Sequence, residues 1–225
     1  MVGGCGGSGP ARTASGTTAS KRLDAAGVTR LDVGSAFVVH VALGQPESAT
    51  VTYDDSLADL LDVGVDGPTL RLQLKPQADV EDRATLRAEV RVRRLDQVRA
   101  SGASTVEVTG TLQDPGLRLE ESGSSTVTAE VGLDRVQATL TGASRLRLTG
   151  QASTLTVAGS GSSELELGGL RAHDLDIQLS GASHADVQVD QTIAARLSGA
   201  SHLTYTGTPS FTRRETSGAS SIEPA

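Results

Sequence analysis

Over the latter part of the chain, apolar and polar residues alternate on either side of a recurring bend. A Ser-Gly-x-Ser or Thr-Gly-x-Ser tetrapeptide returns with its glycine at 102, 123, 142, 161, 181, 199 and 218, at intervals of 18 to 21 residues. Four and six positions after successive glycines stand Val106 and Val108, Val127 and Ala129, Leu146 and Leu148, Leu165 and Leu167, Ala185 and Val187, Leu203 and Tyr205. Four and six positions before them stand Leu117 and Leu119, Val136 and Ala138, Leu155 and Val157, Leu175 and Ile177, Ile193 and Ala195, with Leu140, Leu179 and Leu197 two positions before. Thr, Gln, Asp, Glu and Arg fill the gaps. A period of two predicts strands with one face turned inward. A step near 19 residues is too short for a helical-hairpin repeat and leaves no stretch for a strand-plus-helix unit. Two or three short strands per coil with a tight bend at Ser-Gly therefore predict a parallel β-helix, an all-β solenoid. Glycine suits the bend because it takes positive φ and lets successive coils approach closely. The flanking hydroxyls can bond backbone groups freed there.

Charges test the register, because equivalent residues of neighbouring coils lie about 4.8 Å apart. The repeat sets Arg145 beside Glu164, Arg147 beside Glu166, Arg99 beside Glu120 and Arg196 beside Glu215, with Glu166 beside Asp186 as the one conflict. Residues 97–225 read as regular coils. Residues 23–96 are less regular: Leu31 to Val33, Phe37 to Leu43, Ala49 to Tyr53, Thr69 to Leu74 and Leu86 to Val92 alternate as strands, and Asp55 to Leu61 reads as a helical turn or bent connection. They are expected to form wider first turns covering one end of the stack, or a small sheet continuous with the same core. Extra loops are expected at Lys75 to Asp82 and at Asp114-Pro115-Gly116. Residues 1–22, almost all small or polar from Gly6 to Arg22, are expected to be a flexible tether.

Composition narrows the partners. The 225 residues carry a formal charge of −7, and aromatic residues are 2% of the chain with no Trp. An acidic surface disfavours nucleic acid, which needs clustered cations. Scarce aromatics remove the usual stacking platforms for bases and sugars. No apolar run is long enough to cross a bilayer as a helix, for which about 18 residues are needed. The single cysteine, Cys5, excludes an internal disulfide and a Cys-rich metal site. Its setting, Val2-Gly3-Gly4-Cys5-Gly6, looks like a bacterial lipoprotein processing site. That reading expects cleavage before Cys5, acylation of its thiol, a signal segment supplied from further upstream, and membrane association only through this anchor.

Leu31-x-Val33 leading to Phe37-Val38-Val39, the Asp54-Asp55-Ser56-Leu57 turn, Thr69-Leu70-x-Leu72, the serial Ser-Gly-x-Ser bends and the Tyr205-Thr206-Gly207-Thr208-Pro209 ending resemble one bacterial envelope family. It is the head GIN domain of putative auto-transporter adhesins, and the resemblance runs from about Leu23 to Ile222. It implies a single-domain right-handed parallel β-helix on a secreted or lipid-anchored protein, with no catalytic residues to carry over. Right-handedness agrees with the general hand of parallel crossovers.

Candidate chemistry is sparse. His184 and His202 both lie three positions after their glycines in adjacent coils, which stacks their rings about 5 Å apart, close enough to share Zn²⁺ or Cu²⁺. Arg145 and Glu164 precede them in that column, so a third ligand is not evident; two solvated residues at a bend are the simpler account. His40 reads as an exposed strand residue and His173 as polar loop filler. Asp174, Asp176, Asp186 and Asp190 cluster in sequence and raise a carbohydrate-active enzyme, lyase or hydrolase, as an alternative, since a pair of carboxylates can serve as acid and base. Ordinary solvated Asp is the better account. No catalytic residue, metal or cofactor is expected. The leading reading is a non-enzymatic envelope protein that binds or scaffolds, its partners protein or glycan surfaces. An accessory of an envelope sensing pathway is a further alternative. In the last coil, Thr212, Arg214 and Thr216 replace apolar residues, so Arg213, Arg214 and Pro224 are expected to blunt that edge against end-to-end stacking.

Overall fold

The computed structural model describes residues 12–76, 78, 80, 84–113 and 116–225. Cys5 lies outside the described residues, as do half of the loop expected between Lys75 and Asp82 and the Asp114-Pro115 pair. The first strands are β1 (Thr18–Leu23), β2 (Arg30–Val33), β3 (Val38–Leu43), β4 (Ser48–Asp54), β5 (Leu61–Asp66), β6 (Thr69–Leu74) and β7 (Leu86–Val92). Then follow β8 (Gln97–Ala100), β9 (Thr105–Leu112), β10 (Gly116–Glu121), β11 (Thr126–Leu140) and β12 (Arg145–Gly159). The chain closes with β13 (Glu164–Leu179), β14 (His184–Leu197), β15 (His202–Thr206), β16 (Ser210–Thr216) and β17 (Ser221–Pro224).

These 17 strands form one continuous sheet folded back on itself. The first layer runs β1-β4-β7-β3-β9, then the leading halves of β11 to β14, then β15 and β17. The second runs β5-β6-β2-β8-β10, then the trailing halves of β11 to β14, then β16. From β11 to β14 each coil is thus one long strand that bends between layers, where the repeat had suggested two or three short strands. Leu146 stands beside Leu165, and Leu155 beside Leu175, as a period near 19 requires. Both layers point their alternate residues into one core built mainly of Leu, Val, Ile and Ala.

Each Ser-Gly bend is set by its glycine and its second serine. The seven glycines take φ between +69° and +81°. From Gly123 onward an added Cβ would lie 2.4–2.6 Å from the carbonyl oxygen of the glycine one coil below, so no side chain fits. That same carbonyl accepts the next coil's backbone N–H at 2.7 Å, as between Ser162 N and Gly142 O. Ser104, Ser144, Ser163, Ser183 and Ser201 are buried, and each hydroxyl donates to the carbonyl three residues earlier at 2.8–3.0 Å. The hydroxyls replace solvent for carbonyls that the bend removes from the ladder.

The expected ladder pairs form. Arg99 meets Glu120 at 2.7 Å, Arg147 meets Glu166 at 2.7 Å, Arg196 meets Glu215 at 2.8 Å, and Arg145 pairs with Glu164. Glu166 is neutralised by Arg147, which relieves its like-charge contact with Asp186. These pairs lie at the surface, where solvent screens them, so they fix the register of neighbouring coils more than they add stability.

Two expectations for the first part of the chain need correction. Thr18 to Arg22 are not tether: they belong to β1, which pairs antiparallel with β4. The segment just before is fastened too, because Asp54 accepts hydrogen bonds from the backbone of Ser15 and Gly16 and from the Ser15 hydroxyl. Asp55 to Leu61 divides into a 3₁₀ turn over Asp55–Leu57, capped by the Asp54 carboxylate, and the start of β5. The early coils also stack out of chain order. The β2–β3 coil lies between β6–β7 and β8–β9, and the antiparallel strands β1, β4 and β5 close that end.

Candidate functional site

The second layer carries a groove parallel to the solenoid axis. One wall is the outward row Glu120, Thr139, Ala158, Gln178 and Arg196, in register on successive coils. The other is the bend row Ser122, Thr141, Ser160, Ser180 and Ser198. Four of its hydroxyls donate one coil back, Thr141 to Glu121 O at 3.3 Å, and Ser160, Ser180 and Ser198 to Leu140, Gly159 and Leu179 O at 3.5 Å. Between the walls run Glu121, Leu140, Gly159 and Leu179, all buried.

Midway along the groove the side chains of both inner rows are small. Ala158 interrupts a row of long polar residues, and Gly159 interrupts a column of leucines. Leu179 Cδ2 would lie 2.8 Å from a Cβ at Gly159, so leucine fills the inner space while the outer surface stays recessed. The recess here holds about 240 Å³, and an adjoining one of about 320 Å³ is bordered by Arg99, Arg118, Glu120 and Glu121. The two share Thr139 and Thr141, making one trough with hydroxyls at coil spacing, an apolar strip and guanidinium groups at both ends.

Its electrostatics are uneven. Glu120 is held below the usual carboxylate range by hydrogen bonds first from Arg99 and then from Arg118. Glu121, its neighbour, points into the core with both carboxyl oxygens buried and without a partner, and burial pushes it up to about 9. It is therefore a neutral acid near pH 7 and adds no charge to the trough.

The histidines singled out in the sequence sit on the first layer. His184 and His202 are in register on β14 and β15, their rings stacked with centroids 5.9 Å apart and planes 23° apart. Glu164 holds the preceding place in that column and is engaged by Arg145. His40 is a half-exposed strand residue 3.3 Å from Glu107. His173 is exposed within β13 and not in a loop as expected. The four aspartates do not converge. Asp174 and Asp176 face outward from the second layer and Asp186 from the first, while Asp190 lies 3.7 Å from Arg171 and Asp174 is bonded by Thr192. At the far end, Arg214 reaches across the core opening to donate to Ile222 O at 2.8 Å and covers the Phe211 ring at 5.1 Å.

A family model described as "Putative auto-transporter adhesin, head GIN domain" matches residues 11–209. Comparison with curated proteins gives no match. Among solved structures, the chain is similar to a putative adhesin from Bacteroides fragilis NCTC 9343 with a TM-score of 0.87 and 18% identity, covering 95% of this chain and 99% of that one. A putative adhesin from Parabacteroides distasonis ATCC 8503 gives a TM-score of 0.75 at 18% identity, over 95% and 99% of the two chains. A putative lipid binding protein from the same organism gives 0.71 at 17% identity, over 95% and 98%. At these identities the likeness is one of fold.

Proposed function

The chain belongs to the family of the head GIN domain of putative auto-transporter adhesins, and from that premise we propose that it is a non-enzymatic binding module of the cell envelope. The axial trough of the second layer is its contact surface. The observation that carries this reading is the continuity of the trough: hydroxyls recur coil after coil beside the Ala158–Gly159 strip, with Arg99 and Arg118 at one end and Arg196 at the other. Such a surface suits an extended polymer that lies along the axis and offers a hydrogen-bonding group at each coil. Polypeptide fits better than glycan, because the trough has no aromatic side chain on which a sugar ring could stack. Rigid ladders on either side keep the wall groups in place without a ligand, which limits the ordering cost of binding.

Location follows the same proposal. Cys5 supplies the lipid anchor. Mass spectrometry of the native protein tests this directly: a diacylated Cys5 at a processed terminus is the expected result, and an unmodified thiol overturns it.

The binding reading is tested with beads carrying the full chain, scored for adhesion to surfaces coated with envelope polypeptides or glycans. Ala158→Arg fills the trough on an exposed strand position and is expected to abolish adhesion, while Thr128→Arg on the first layer leaves it intact. Adhesion that survives Ala158→Arg removes the trough from the proposal. Shortening of a glycan by the wild-type chain would move the reading to a carbohydrate-active enzyme.

A further inference from the structure

On the layer opposite the trough, we propose that His184 and His202 form a two-imidazole chelate for a borderline divalent cation of the Zn²⁺ or Cu²⁺ class. Register puts them there. Each lies three residues past its bend glycine, on strands paired His184 to His202, so the backbone alone holds the two side chains on one face at coil spacing. The rings already meet, with centroids 5.9 Å apart and planes 23° apart. His202 is exposed and His184 half-exposed on the outer face, so small rotations about their side-chain torsions bring one nitrogen of each to the roughly 2.0–2.1 Å of an imidazole–zinc bond.

The partners of the two rings are those a ligating histidine uses. A metal-bound imidazole typically keeps its other nitrogen on a carboxylate, carbonyl or hydroxyl, which fixes its tautomer and aim. His184 Nε2 lies 3.4 Å from Asp186 Oδ1, two residues along the same strand, which leaves Nδ1 for a cation. With its hydroxyl 2.8 Å from His202 Nδ1 and 3.1 Å from Nε2, Ser221, in register on β17, lies over the ring in line with neither nitrogen; a rotation of either side chain aligns it with one and leaves the other. Among the described residues no three His, Cys, Asp or Glu side chains form a metal cage. The two imidazoles therefore supply two positions and solvent the remainder, which makes an open site that a further ligand could complete. Nitrogen donors favour zinc and copper over calcium or magnesium. Glu164, the nearest carboxylate in the column, is occupied by Arg145.

The test is calorimetric titration of the full chain with zinc chloride and, separately, copper chloride, alongside side-chain nitrogen NMR of the histidines. Saturable binding at one cation per chain is expected, with the His184 and His202 resonances moving together and those of His40 and His173 unmoved. His184→Ala and His202→Ala each abolish this binding, Asp186→Asn weakens it about tenfold, and His40→Ala leaves it unchanged. The absence of saturable binding overturns the proposal. So does binding retained in the His184→Ala/His202→Ala double variant. Circular dichroism of these surface variants is expected to match that of the wild type, so a lost signal reads as lost ligation.

Discussion

Glu121 stands in register with Leu140 on the next coil, a carboxyl side chain stacked on a leucine within one inward column. Ala100 occupies the same column on the coil before, and its small side chain leaves the room that the glutamate fills. The bend beside it adjusts as well. Ser125 donates to Ala100 O at 3.2 Å, whereas the equivalent serines of most other coils bond the carbonyl three residues earlier.

This buried acid makes stability depend on pH in an unusual direction. Its folded value is pushed up to about 9, against 4.5 for an ordinary glutamate. Between those values the folded state holds a proton that the unfolded state has released, so stability falls as pH rises through that window and levels off above it. Glu121→Leu is expected to raise stability by about 1–4 kcal/mol at pH 8. Glu121→Gln is expected to remove most of the slope with little change of volume. Urea unfolding of the three proteins from pH 5 to pH 9 checks this, and an unchanged slope in both variants would assign the effect elsewhere.

Asp54 behaves in the opposite sense. Hydrogen bonds from the Ser56 hydroxyl first, and then from Ser15 and Gly16, hold its carboxyl well below the usual range. A depressed folded value contributes stability above the ordinary carboxylate range and loses it as pH falls through the folded value. Asp54→Ala is expected to release the segment before β1 while the coils stay folded. Hydrogen exchange should show the amides of Ser15 and Gly16 unprotected, and limited proteolysis should cut between Arg12 and Thr18.

The bends predict paired substitutions of opposite sign. Gly161→Ala places a Cβ 2.5 Å from Gly142 O at a φ of +81° and is expected to cost about 3 kcal/mol or more. In the β2–β3 coil the bend carries Ser35 and Ala36 at φ of +54° and +65°. Ala36 is exposed, so Ala36→Gly is expected to stabilise by about 1 kcal/mol. Thermal melts of the two variants against the wild type would show shifts of opposite sign.

Arg214 occupies an inward column next to Ala195 and closes the last coil through Ile222 O and the Phe211 ring. Removing it by Arg214→Ala bares both the core opening and the edges of β16 and β17. Sedimentation velocity is expected to show concentration-dependent association for the variant and less for the wild type. Equal association of the two would deny the arginine this role.

The sequence made the coils from β8 onward legible because one register satisfied several demands together: leucines inward, glycines at the bends and opposite charges on adjacent strands. It also set His184 beside His202. β1 went unread because Thr-Ala-Ser-Lys-Arg-Leu lies on an edge, where only Ala19 and Leu23 are partly buried and no alternation is enforced. β5 is likewise an edge strand, paired only with β6, and Val65 within it is exposed. The trough depends on where small residues interrupt the columns, at Ala158 and Gly159, and a search for repeated residues overlooks interruptions. Glu121 was visible as a charge in an inward position, but leucines at the equivalent places hid it. The order of the early coils has no signature in the sequence, because those residues do not repeat.

That order governs how the molecule can be assembled. The β2–β3 coil is flanked on both sides, so β8 and β9 dock on strands far earlier in the chain, Gln97 beside Arg30 and Thr105 beside Val38. Every later coil touches only its neighbours, so order spreads through the stack one repeat at a time. Deleting coils from the far end should shorten the stack and bare its core there, whereas damage to the early coils removes the strands on which β8 and β9 dock.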